Sequence, residues 1–273
     1  MRCRSVYSSK AAEIHVEYTV ESGTQLTLTT VGTPRPNAPH LVWGHGWGQS
    51  AASMLPLAET LKPFASSSLI DLPGFGNSPN PPETWGTAEY ADGIAAWIAA
   101  LSSAQVVWIG HSFGSRIGIQ LAARHPQLVS AMVLIAAAGL RRRRSVSEAL
   151  RFHTRKTAFK TARRFLREGP LLDRLRQRFG SSDYRSAGAM RAVLTRVVAE
   201  DLTEQAQAVR CPTLLIYGSA DTETPPEVGL RFHHLISGSE FALLEGFGHL
   251  SVLSEGRHQV ALRIRKFLER LAR

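Results

Sequence analysis

Two cysteines, Cys3 and Cys211, are too few for a disulfide framework, which fits a reducing cytoplasm better than an oxidising compartment. The longest apolar runs fall far short of the roughly 20 residues that a membrane span requires. The first residues, MRCRSVYSSKAAEIHV, carry basic side chains but lack the apolar stretch of a secretory signal, so a soluble cytoplasmic protein is expected. There is no His/Cys/Asp/Glu cluster at metal-ligand spacing, no phosphate loop and no dinucleotide fingerprint; no metal and no cofactor are implied. Aromatic residues make up 8% of the chain and form no stacking platform beside the basic residues, which argues against nucleic acid as a partner. Acidic residues are scarce in one place only. Residues 141–200 hold 17 Lys+Arg against 5 Asp+Glu, whereas the remainder holds 15 against 17, so the whole excess behind the +10 net charge sits in one middle segment.

With 44% hydrophobic residues, the 273-residue chain can bury a full core. Runs at residues 15–20 and 25–31 alternate apolar and polar residues, as an antiparallel hairpin at a sheet edge would. Runs at 41–43, 69–70, 106–109, 132–135 and 214–217 are almost continuously apolar and read as parallel strands buried on both faces. Between them, Tyr90, Ile94, Trp97, Ile98 and Leu101 recur at helical spacing, as do Val260, Ile264, Phe267, Leu268 and Leu271. Strands alternating with helices imply an α/β fold, a mostly parallel central sheet flanked by helices. From about residue 140 to 200 the strand pattern gives way to an Arg-rich, helix-favouring stretch. The expected organisation is a core of residues 1–139 and 201–273 interrupted by a basic helical cap, 140–200.

The strongest local signal is Gly110-His111-Ser112-Phe113-Gly114, set between the run 106–109 and a helical pattern at 115–124. In that context G-x-S-x-G forces a sharp turn that lifts the serine hydroxyl over the sheet edge, with a helix N-terminus behind it. A serine is a weak nucleophile at neutral pH and needs a base, itself oriented by an acid. Asp221 lies just past the run 213–217, and His249 follows the run 241–244 in the loop Glu245-Gly246-Phe247-Gly248. The order Ser112, Asp221, His249 is the one expected. Glu223 is the competing acid, but it lies further from the strand end and reads as an exposed loop residue. His233 and His234 fall in a helical stretch, and the remaining histidines carry no motif. An oxyanion site requires two backbone N–H donors. Phe113, after the serine, offers one, and Trp47, in the loop Gly44-His45-Gly46-Trp47-Gly48, offers the other, with His45 bracing that loop.

His45-Gly46-Trp47-Gly48, Asp71-Leu72-Pro73-Gly74-Phe75-Gly76-Asn77-Ser78, Gly110 to Gly114, Gly218-Ser219-Ala220-Asp221 and Gly248-His249 together resemble the ordered motif set of the α/β-hydrolase superfamily. The resemblance runs from about residue 12 to the C-terminus, the cap excepted. It implies a carboxylic-ester hydrolase working through an acyl-enzyme, with Asp71 as a structural turn residue. The same triad also serves C–C bond hydrolases and acyltransferases, and some members are ligand-binding receptors or adaptors on a hydrolase scaffold. Within the superfamily the His-Gly-Trp-Gly form is similar to the pimeloyl-acyl-carrier-protein methyl ester esterases, which commonly have Trp where this chain has His111.

In the basic segment Lys156, Lys160, Arg163 and Arg167 fall at i, i+4, i+7, i+11 and share one helix face, with Phe152, Phe159, Ala162 and Leu166 on another. Such a helix suits a small-molecule or carrier-linked ester substrate, the carrier being an acidic protein. A solvated basic surface and a peripheral contact with an anionic membrane are the competing readings.

Overall fold

The computed structural model describes residues 2–5, 14–19, 25–34, 38–101, 105–141 and 182–272. Three strands open the chain: β1 (Arg2–Ser5), β2 (Ile14–Thr19) and β3 (Gln25–Val31). They are followed by β4 (His40–Gly44), β5 (Ser66–Asp71), β6 (Val106–His111), β7 (Val129–Ile135), β8 (Thr213–Gly218) and β9 (Glu240–Leu244). All nine join one sheet in the order β1-β2-β3-β5-β4-β6-β7-β8-β9. The first three pair antiparallel with one another and β3 pairs antiparallel with β5; every later pairing is parallel. A mostly parallel sheet is therefore present as expected.

Each central strand feeds two cores because side chains alternate across the pleat. Val42, Trp108, Met132 and Leu215 point to one face, where α2 (Thr87–Leu101) and α3 (Phe113–Arg124) cover them with Tyr90, Trp97 and Ile117. Their neighbours Leu41, Trp43, Val107, Ile109 and Val133 point to the other. There they meet Met54 and Leu57 of α1 (Ala51–Leu61) and Val260, Ile264 and Phe267 of the C-terminal helix Arg257–Leu271. Burial on both faces explains why these strands read as unbroken apolar runs.

One feature differs from the sequence expectation. The hairpin at residues 15–20 and 25–31 does not form the sheet edge, because β1 pairs outside β2 and β3 is enclosed between β2 and β5. The polar side of β3 is covered too: Thr27 and Thr29 are each 6% exposed, and the Thr27 N–H donates to Ser78 Oγ at 2.8 Å. Helix α1, which was not read from the sequence, forms around Pro56. Proline in a helix interior costs about 3 kcal/mol, yet burial of Met54, Leu57, Ala58 and Leu61 against the sheet offsets that cost.

Between β7 and β8 the described residues contain helices and no strand. Those helices are α4 (Ser182–Ser186), α5 (Arg191–Ala199) and α6 (Thr203–Ala208). Helix α5 is fastened to the core at several points. Arg116 of α3 donates to Val197 O at 2.8 Å, Arg196 pairs with Glu89, and Glu200 accepts from Thr87 N–H at 3.0 Å. The loops leaving the C-terminal ends of β4, β6, β7, β8 and β9 lie along one edge of the sheet, the edge on which open α/β sheets place their sites.

Candidate active site

Strand β6 ends at His111 and α3 begins at Phe113, leaving Ser112 alone to turn the chain. It does so at φ 48° and ψ −101°, a left-handed conformation rarely adopted by a residue with a side chain. Such strain costs on the order of 1–3 kcal/mol and persists only where the surroundings enforce it. Here the Ser112 N–H donates to Ile135 O at 3.0 Å and the Gly114 N–H to His45 O at 2.9 Å. Gly114 packs on β4 so closely that a Cβ there would lie 2.0 Å from Gly44 O.

Asp221 follows β8 in a tight loop and is 3% exposed. Its Oδ1 accepts the N–H groups of Glu223 at 2.8 Å and Thr224 at 2.9 Å, the side-chain-to-backbone pattern of an Asx turn. Its Oδ2 lies 2.8 Å from His249 Nδ1. Burial alone would raise the Asp221 pKa, but hydrogen bonds from His249 and Thr224 hold it below the usual carboxylate range. An ionised Asp221 favours the tautomer of His249 that carries its hydrogen on Nδ1, with Nε2 facing away from the acid. Thr224 Oγ1 sits 2.8 Å from Asp221 Oδ2, 3.0 Å from Ala136 O and 3.1 Å from His249 Nδ1, so one hydroxyl ties the acid and the imidazole to the end of β7.

His111 connects the serine turn to the histidine loop. Its Nε2–H donates to His249 O at 3.0 Å, and the two rings lie 4.8 Å apart. Complete burial pushes the His111 pKa down to about 3, so the ring is neutral; its Nδ1 has no partner among the described residues. The structure thus brings Asp221 and His249 into direct contact and sets the residue beside Ser112 against His249. Among the described residues no hydrogen bond joins Ser112 Oγ to His249, a contact that commonly tightens only around a substrate.

The oxyanion candidates lie side by side. The Trp47 and Phe113 rings meet edge to face at 5.3 Å, with Phe75 closing on Trp47 at 4.9 Å. Among the described residues neither backbone N–H is spent on a hydrogen bond, whereas the next donor in α3, Gly114 N–H, is taken by His45 O. His45 is fully buried; its Nδ1–H donates to Gly46 O at 2.7 Å and its Nε2 accepts the Leu72 N–H at 3.0 Å. Burial lowers its pKa to about 4, and both nitrogens are committed to the backbone, the bracing expected of it. Asp71 accepts from Ala51 N–H at 2.7 Å and Asn77 N–H at 2.9 Å, pinning the start of α1 to the 72–78 turn.

Glu223 takes a position that spacing alone did not reveal. Its side chain is 65% exposed, yet Oε2 lies 3.7 Å from His249 Nε2, the nitrogen opposite Asp221. Thr224 and His111 were also missed as parts of the site. The Asp-x-x-Thr spacing at 221–224 was a usable signal for the first, while the second depends on a contact across 138 residues. A cavity of about 820 Å³ adjoins Glu223 and Thr224, with Arg116, Leu140, Leu194 and Val198 among its walls. Lys156, Lys160, Arg163 and Arg167 lie outside the described residues.

Comparison with known proteins agrees with this architecture. Residues 39–171 match the alpha/beta hydrolase fold family. The pimeloyl-[acyl-carrier protein] methyl ester esterase of Neisseria meningitidis serogroup B is 30% identical over 244 residues, 82% of this chain and 91% of that protein. The enol-lactonase of Burkholderia xenovorans LB400 superposes with a TM-score of 0.71 at 21% identity, covering 93% of this chain and 99% of that one. A thermophilic esterase of Thermogutta terrifontis gives 0.69 at 22%, covering 95% and 99%. With its crossover sheet, its strained turn between β6 and α3 and this degree of likeness, the chain belongs to the α/β-hydrolase family.

Proposed function

We propose that this hydrolase cleaves carboxylic esters through an acyl-enzyme on Ser112. The observation that carries the reading is the Asp221–His249 pair at 2.8 Å, which engages Nδ1 and turns Nε2 away from the acid, on the sheet edge that also holds Ser112 in its strained turn. Ser112 Oγ attacks the ester carbonyl carbon as its proton passes to His249 Nε2. The carbonyl oxygen becomes an oxyanion, received by the N–H groups of Trp47 and Phe113. Collapse expels the alcohol oxygen, which takes the proton back from Nε2. Water then attacks the acyl carbon, giving its proton to the same nitrogen, and the second collapse returns that proton to Ser112 Oγ and frees the acid. His111 and Thr224 act through His249: one holds its backbone, the other its ring and its acid partner.

A carrier-linked ester is the substrate class we favour. The Neisseria relative is named for such an ester, and the surplus of Lys and Arg in residues 141–200 suits an acidic carrier. A fluorophosphonate probe should label Ser112, and Ser112→Ala should abolish labelling. Intact protein that stays unlabelled while control esterases react fully would refute the serine mechanism.

A further inference from the structure

Glu223 belongs to the same loop as Asp221 but serves the opposite side of the imidazole. Its N–H is anchored on Asp221 Oδ1 at 2.8 Å, and its carboxylate comes within 3.7 Å of His249 Nε2. In the proposed mechanism Nε2 protonates the departing alcohol, so the leaving-group oxygen must pass within about 3 Å of that nitrogen. Whatever the alcohol carries next to that oxygen is brought close to Glu223. Among the described residues, the other charged or titratable groups around His249 do not cancel this field. Asp221 is committed to Nδ1, and His111 is neutral because burial keeps its pKa near 3. In the adjoining cavity Arg116 is bonded to Val197 O and faces Glu200 and Asp201, while Arg141 pairs with Asp201 at 3.5 Å. Among the described residues lining the cavity, the remaining charge, Asp183, is of the same sign as Glu223.

We propose that Glu223 determines leaving-group specificity by charge, favouring esters of neutral or cationic alcohols and disfavouring those with an anion beside the scissile oxygen. This rests on the ester-hydrolase reading and refines it. An anionic carrier substrate is compatible when its charges are remote from the ester, and a carboxylate product would be repelled by the same group. Because Glu223 is well exposed, the field is best treated with a water-like dielectric. One unit charge about 5 Å away then changes kcat/KM by about fourfold, more as bound substrate displaces water.

The test uses the full-length protein and three acetate esters of similar shape whose charges do not titrate. These are the esters of choline, of 3,3-dimethylbutanol and of 2-hydroxyethanesulfonate. The wild-type order in kcat/KM should be cationic, neutral, anionic, with steps of about four- to tenfold at low salt that shrink as salt rises. Glu223→Gln should bring both ratios toward unity by at least about threefold. Because each ratio is taken within one enzyme, a general loss of rate cancels. Glu269→Gln, which removes the same charge from the C-terminal helix, should keep the wild-type ratios. Ratios that are the same in wild type and Glu223→Gln, or a wild-type preference for the sulfonate ester, overturn the proposal while leaving the hydrolase reading intact. Absence of turnover on all three esters by wild type overturns both.

Discussion

His45 and His111 are the residues whose burial most clearly links the site to stability. Both are completely buried and neutral, with pKa values lowered from 6.5 to about 4 and about 3. The unfolded chain therefore binds protons near pH 6.5 that the folded chain refuses until much lower pH. The stability tied to these rings is fully present above pH 6.5 and is lost as pH falls toward 4 and then 3. Each histidine contributes up to about 1.4 kcal/mol per pH unit in that window, about 2.7 for the pair near pH 5. Urea unfolding followed from pH 7 to pH 5 should show this loss, and His111→Gln should reduce the slope. An unchanged slope would place the titration elsewhere. Asp221, held below its ordinary 3.8, keeps its own contribution above that pH and loses it as pH falls below 3.8 through its folded pKa. Ser112, Asp221 and His249 were legible in the sequence because each follows an apolar run within a few residues, a local pattern. Glu223 was read as an exposed loop acid, and it is exposed; its approach to Nε2 depends on how the 219–224 and 245–250 loops meet, which spacing does not encode.

At the scale of elements, the crossing of α3 over β4 holds the turn in place. Gly114 donates to His45 O, and its missing side chain lets the helix rest on the Gly44 carbonyl. That carbonyl belongs to a central strand paired on both sides and cannot recede. Gly114→Ala should therefore destabilise by about 3 kcal/mol or more, at the upper end of overpacking effects. Fluorophosphonate labelling should fall with it, because the displaced helix carries both Ser112 and the Phe113 N–H. Wild-type thermal stability in this variant would show that the contact is not tight. The strands β4, β6, β7 and β8 could be read from sequence because burial on both faces leaves mostly apolar residues, whereas β5, with Ser66, Ser67, Ser68 and Asp71 buried, showed only its Leu69-Ile70 pair. Helix α1 could not, because Pro56 breaks the local pattern and only the docking of Met54 and Leu57 on the sheet restores it. The enclosure of β3 was hidden for a related reason: threonines alternate like surface residues, yet Thr27 and Thr29 are covered.

At the scale of the whole molecule, charge is distributed in a way the catalytic chemistry does not require. The segment from 141 to 200 carries a net +12 while the remainder carries −2. Part of that segment is already used: Arg196 pairs with Glu89, Arg141 with Asp201, and Arg191 lies over the Tyr184 ring. Lys160, Arg163 and Arg167 are expected on one helix face from their spacing, and under the proposed reading they would meet an acidic carrier delivering its ester to Ser112. Charges of this kind act mainly on association, and screening over about 10 Å at 0.1 M salt weakens them. Replacing all three with glutamine should lower the ratio of kcat/KM on a carrier-linked ester to that on a small neutral ester. With association reduced by three charges the drop should reach about tenfold or more at low salt. The wild-type ratio should itself fall as salt rises, and the variant's should fall less. A small ester offers these side chains no charge to steer, so damage to packing would lower both rates together and leave the ratio unchanged. A constant ratio across variant and salt would instead assign the basic face to solvent, with the ester-hydrolase chemistry of the site unaffected.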